Sequence, residues 1–208
     1  VSGEPVFGPI VSGGAVRAAV LDTVRLWLPA YLAEVERQRG HTPGALGQPR
    51  SWRRPPDIWK VADQQSPAVM VLPPVWNGQP DREGGTRGSV QASWRVAVAV
   101  VVNVGGGDPD WSGEVAADYC AALWALLEQQ GSLGGVAADT RCVDLDTALL
   151  TQADQRQRAL AAGSVSAIVM TRDSLRRREG PVEVPADPYE DPGVWPVVET
   201  ANVTVDKE

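Results

Sequence analysis

"VVVNVGGGDPDWSGEVAADYCAALWALL", residues 100–127, opens as an apolar strand, passes through three glycines and ends as a helix. That order is also the outline of a phosphate-binding loop, so its reading decides between a nucleotide-binding fold and another α/β arrangement. A dinucleotide fingerprint needs G-x-G-x-x-G, with the last glycine at the helix start where backbone N–H groups meet the pyrophosphate. Gly105, Gly106 and Gly107 are instead contiguous, and Asp108, Pro109 and Asp110 follow them. Two carboxylates therefore stand where a phosphate would have to arrive. A P-loop lysine is missing as well, since Lys60 and Lys207 are the only lysines. The glycines read as a connector, and the helix is expected to begin with Ser112 as N-cap, Glu114 and Asp118 complementing its positive end.

Upstream of the glycines, Ser89–Val104 ("SVQASWRVAVAVVVNV") is the longest strand signal. Its first half alternates, with Val90, Ala92, Trp94, Val96 and Val98 on one face and Gln91, Ser93 and Arg95 on the other. Its second half is apolar on both faces, which predicts cover on both sides. Sixteen residues exceed the usual ~5–6 of a strand. The strand is therefore expected to form one arm of a long hairpin, reached through the connection Trp76–Gly88, that leaves the domain body. Downstream, Gly113–Gln130 turns Val115, Tyr119, Leu123, Leu126 and Leu127 inward, and "GSLGG" closes the helix with glycine.

The outer segments complete the plan. Ala15–Arg39 carries a helical period at Val16, Val20, Val24, Trp27, Leu28, Tyr31, Leu32 and Val35, ending at Gly40. Pro29 predicts a kink or a break near Leu28. A proline-, glycine- and arginine-rich loop with Trp52 and Trp59 leads to a short strand, Pro67–Val75, which ends at paired prolines. Thr140–Thr151, with its alternation read at Cys142, Val143, Leu145, Thr147 and Leu149, and Leu160–Thr171 read as two further strands. The predicted fold is α+β, a mainly antiparallel sheet packed by two helices, with residues 1–14 as an N-terminal arm, 15–178 as the domain and 179–208 as an extended C-terminal arm.

Composition excludes several functions. A formal charge of −7 argues against a nucleic-acid grip, which depends on neutralising phosphates. Arginine supplies nearly all the positive charge, which suits planar pairing across interfaces, although the codon bias of a GC-rich genome gives the same skew. The N-terminal stretch has no basic segment and no long apolar core, so it does not read as a signal peptide. No run approaches the ~20 apolar residues of a membrane span. Cys120 and Cys142 read as small buried residues, which places folding in a soluble, reducing compartment. His41 is the only histidine and has no evident carboxylate partner in sequence, so a histidine metal site or a Ser-His-Asp triad is not expected. Asp144 and Asp146 share one strand face. They suit a hard cation, or simply an exposed polar face. No catalytic residue, cofactor site or metal site is assigned.

The order of elements resembles the tail terminator (tail completion) proteins of long-tailed bacteriophages, particularly those infecting actinobacteria. The resemblance lies in "AVRAAVLDTVRLWLPAYLAEVERQRG", "SPAVMVLPPV", "SWRVAVAVVVNV", "EVAADYCAALWALLEQQGSLGG" and "GSVSAIVMTRD", and covers most of residues 15–175. It implies a non-enzymatic virion protein, assembled in the host cytoplasm, that forms a homohexameric ring on the head-proximal end of the tail tube. Its implied partners are copies of itself, the tail tube protein and the head-side connector or stopper protein, with DNA passing through the lumen unbound. Physical features agree with such a role. A closed ring needs two unlike flanks, and eight tryptophans against one phenylalanine suit contact anchoring. Trp76, Trp94, Trp111, Tyr189 and Trp195 are the candidate contact residues. The tail "PVEVPADPYEDPGVWPVVETANVTV" exceeds what a minimal terminator needs, which leaves a related neck or tube component open as the alternative. Its ending "VVETANVTV" alternates enough to add a strand to a sheet edge.

Overall fold

The computed structural model describes residues 10–53, 66–78, 81–82, 90–103, 109–147 and 160–175. Helix α1 (Gly13–Arg39) starts where the Ser12 hydroxyl accepts from the Ala15 N–H at 3.2 Å, and ends at Gly40, left-handed with φ 73°. At ~1.5 Å per residue it runs about 40 Å. Val16, Val20, Val24, Leu28 and Leu32 form its buried stripe as the periodicity predicts, but Trp27 is exposed. The break expected at Pro29 does not occur. The proline lies on the exposed side of a continuous helix, where water can serve the carbonyl it leaves without a donor.

The strands are β1 (Ser51–Arg53), β2 (Ala68–Val71), β3 (Val75–Trp76), β4 (Asp81–Arg82), β5 (Val90–Asn103), β6 (Asp139–Asp146) and β7 (Leu160–Leu175). Helix α2 (Pro109–Gln129) lies between β5 and β6, and a short 3-10 turn, Leu133–Gly135, follows it. The sheet order is β1-β2-β5-β7-β6, with β3 and β4 pairing β5 along the side not taken by β7. All pairs are antiparallel except β1, which runs parallel to β2 with Trp52 opposite Val69. The sheet is therefore mixed within an α+β fold. Strand β1 stands where the sequence reads as loop, because three residues among prolines and arginines carry no period. Trp52 is pinned by the Arg25 guanidinium, 5.5 Å above its ring, while Trp59 lies outside the described residues.

Both helices cover one face of the sheet. Their stripes meet Val69, Val71, Val96, Val98, Val100, Val102, Val165, Ala167 and Val169 in one core. On the opposite face Ala68, Met70 and Val101 form a second, smaller cluster. Covered on both faces, the all-apolar end of β5 behaves as its composition requires.

Two boundaries move for physical reasons. Helix α2 starts at Pro109, three residues before the expected Ser112, because proline is preorganised for the first helical turn and Asp110 sits favourably there. Ser112 is buried inside the helix instead of capping it. The hairpin arms do pair, Trp76 opposite Trp94 and Arg82 opposite Val90. They do not leave the body as a lone ribbon, because β7 follows β5 from Asn103 all the way to Val90. The tip of the connection, 83–89, lies outside the described residues.

Candidate functional site

The polar interior gathers at the C-terminal end of α1. Glu36 is buried, and its carboxylate accepts the backbone N–H groups of Gly44 at 2.8 Å and Leu46 at 2.9 Å. Tyr119 on α2 donates its hydroxyl to the Gly47 carbonyl at 2.8 Å. Burial, and then the charge of Glu36, raises the Tyr119 pKa well above the usual phenol range, so the hydroxyl remains a donor. These bonds fasten the loop after Gly40 to both helices.

His41 belongs to the same cluster and, contrary to the sequence reading, has a carboxylate partner. Its Nε2 lies 3.0 Å from Asp118 Oδ2, and Arg39 Nε lies 3.2 Å from Asp118 Oδ1. The Trp111 ring meets the imidazole edge-on at 5.6 Å. Seventy-seven residues separate His41 from Asp118, so no local spacing announces the pair. A carboxylate that orients a histidine is half of an acid–base constellation. Here Arg39 and His41 each occupy one Asp118 oxygen and both Glu36 oxygens hold backbone donors, so the cluster acts as a clamp.

The thiols are equally quiet. Burial, with the charge of Asp146 adding to it, pushes the Cys120 thiol up to about 12. Burial and then Glu128 push Cys142 up to about 12 as well. Both stay protonated at neutral pH, which removes them as nucleophiles. Cys142 is half-buried, not buried as expected, because β6 bulges between Cys142 and Asp144. The bulge leaves Val143 (48% exposed) out of register and brings Leu145 (45% exposed) opposite Val165, on the same face as Cys142. Asp144 is exposed and pairs with Arg95 at 3.9 Å, a geometry that contributes little in water. Leu149 lies outside the described residues.

Among the described residues the exterior offers several patches of apolar surface. Trp124 on α2 is 52% exposed and joins Val143 and Leu145 around a notch of about 370 Å³ at the β6 edge. The same tryptophan faces Trp27 across a groove of about 430 Å³ between α1 and α2, floored by Ala30, Ala121 and Ala125. At one end of that groove Tyr31 donates to Gln129 at 2.8 Å. On the other side of the sheet Val75 is 65% exposed and Trp76 46% exposed, at the strand that pairs the free side of β5. Apolar patches of this kind mark contact surfaces.

The candidate contact residues divide accordingly. Trp76 is on an exposed flank and stacks edge-on against Trp94 at 5.0 Å. Trp94 is half-buried beneath the start of α1, where a Cβ on Gly13 would come within 2.9 Å of its ring. Trp111 is half-buried against His41. Tyr189 and Trp195 lie outside the described residues. Sequence reasoning missed Trp124, Val143 and Leu145, and the signal that could have found them was a tryptophan off the inward period of α2. Among the described residues no helix is long and apolar enough to cross a membrane. No protein-family model and no curated protein matches the chain.

Proposed function

We propose that this chain is a structural virion protein, a tail terminator whose homohexameric ring caps the head-proximal end of a long-tailed phage's tail tube. It would meet the tube protein on one side and the head-side connector or stopper protein on the other, with DNA passing through the lumen unbound. The role is non-enzymatic. The observation that carries the reading is the pair of unlike apolar flanks on opposite sides of one sheet. One is formed by Val75 and Trp76, the other by Val143, Leu145 and Trp124. A subunit that contacts copies of itself and also unlike neighbours needs separate surfaces of this kind, and a head-to-tail ring cannot close with only one. The resemblance in element order supplies the identity of the assembly. The long C-terminal arm favours the alternative, another neck connector or a tube-like component, which would share these flanks and differ in position.

Tube length tests the role. Tail assembly without this chain should give tubes that overrun their normal length and do not join heads, and adding the chain should restore both. Tubes of normal length that join heads in its absence would overturn the proposal.

A further inference from the structure

We propose, building on the reading that the chain assembles with copies of itself, that the basic β1 end of one subunit docks on the acidic β6 end of the next, joining copies head to tail through side-chain charge. Strands β1 and β6 are the two ends of the sheet, with β2, β5 and β7 between them. At the β1 end Arg25 of α1 is exposed and stacks on Trp52. Arg50 is exposed too, and its N–H donates to the Pro67 carbonyl at 2.8 Å, which continues the β1–β2 ladder. Alternate residues of an extended chain share a face, so Arg50 lies on the same side of the edge as Trp52. Among the described residues these two guanidinium groups stand apart. Arg37, Arg39, Arg95 and Arg141 each meet a carboxylate, and Arg17 donates to the Val71 carbonyl at 2.9 Å. Arg25 and Arg50 meet neither, and Asp22, one turn back on α1, forms no ion pair with Arg25. In a chain of net charge −7, cations without carboxylates at one edge are segregated charge.

The opposite end carries the opposite sign. Asp139, Asp144 and Asp146 lie on β6 and Glu128 beside it on α2, against Arg141 of the same strand. Charges of this kind keep an edge from pairing main chain to main chain, so the contact is one of side chains. Asp144 meets Arg95 only at 3.9 Å, with both side chains more than half exposed. Such a pair is worth little in water, and a second guanidinium can join it. Val143, Leu145 and Trp124 alongside give the stems of incoming arginines an apolar surface to lie on. Charge also selects the symmetry. A two-fold contact between β1 ends would set Arg25 and Arg50 against their own copies, and one between β6 ends would oppose carboxylates. The unlike ends attract. Because they sit at opposite edges of one sheet, their contact repeats from copy to copy, as ring closure requires. A phosphate backbone fits less well, since two arginines on an acidic protein supply little of the charge it needs.

Two full-length charge reversals test the contact. R25E/R50E makes both ends acidic, and D139R/D144R makes both ends basic. By native mass measurement each alone should self-associate about a hundredfold more weakly than the parent, since like charges now meet. An equal mixture should associate again with the variants in one-to-one proportion, because every contact between unlike variants is complementary. Association of the parent should weaken as salt rises. Variants that associate like the parent, or a mixture that stays apart, would overturn the proposal. So would a parent that is monomeric both alone and on isolated tail tubes. Duplex DNA retained by the parent and released by R25E/R50E would overturn it in favour of a phosphate contact. Unfolding curves that match the parent's report folding. Should either double variant unfold, R50E and D144R replace them. Rings on tails that survive both reversals would remove this inference and leave the terminator reading. Rescued association in solution with no ring on tails would do the reverse.

Discussion

Replacing Gly163 by alanine should cost about 1–3 kcal/mol of stability, the range for forcing a methyl group into a packed interior. Gly163 sits in the middle of β7 opposite Val100, on the face that α2 covers. A Cβ there would come within 2.5 Å of Cys120 Sγ and 3.0 Å of the Asp146 carbonyl oxygen. Neither neighbour can swing aside, since Cys120 is fully buried and the second obstacle is backbone. Relief must come from moving α2 off the sheet or from displacing the end of β6. For a domain of this size the loss corresponds to a drop of roughly 2–4 °C in Tm per kcal/mol. C120A removes the nearer obstacle, so in the double variant part of the loss should return. Denaturant titrations of the two single variants and the double check this. Strict additivity would show that the Cys120 contact does not limit the packing.

The second large effect is on assembly. V75K and L145K each place a charge on an exposed apolar flank, one on either side of the sheet. Surface substitutions of this kind usually change domain stability by less than about 0.5 kcal/mol, so unfolding curves should nearly superimpose on the parent. If the flanks are contact surfaces, a buried lysine should cost 2 kcal/mol or more, about thirtyfold in the association constant. Incorporation into tails, measured by mass spectrometry of purified particles, should therefore fall for both variants. Normal incorporation of either would show that its flank faces solvent in the assembly.

The fold was legible wherever a period of side chains had one cause. In β5 the change from alternation to continuous apolar residues marks the point where cover on one face becomes cover on two, and Val100, Val101 and Val102 are all buried there. Gly40 was legible because only a left-handed residue ends α1 in this way. The rest depended on contacts distant in sequence. Strand β1 is held by pairing with β2 and by Arg25 over Trp52, neither of which shows in a proline-rich stretch. The partner of His41 sits on another helix. The bulge in β6 shifts the phase of a strand without changing its composition, so Cys142, Val143 and Leu145 were read as one alternating series while the backbone separates them. Trp27 illustrates a similar limit, since a large apolar residue at the rim of a helical stripe fits the period whether it packs inward or meets a partner.

The most direct test of the proposed role is the position and copy number of this chain in an intact particle, read by electron cryo-microscopy of the junction between head and tail. The account predicts six copies in one closed ring on the head-proximal end of the tube, with the Val75 and Leu145 flanks both buried. A chain found elsewhere in the particle, present as a single copy, or absent from purified virions would contradict it.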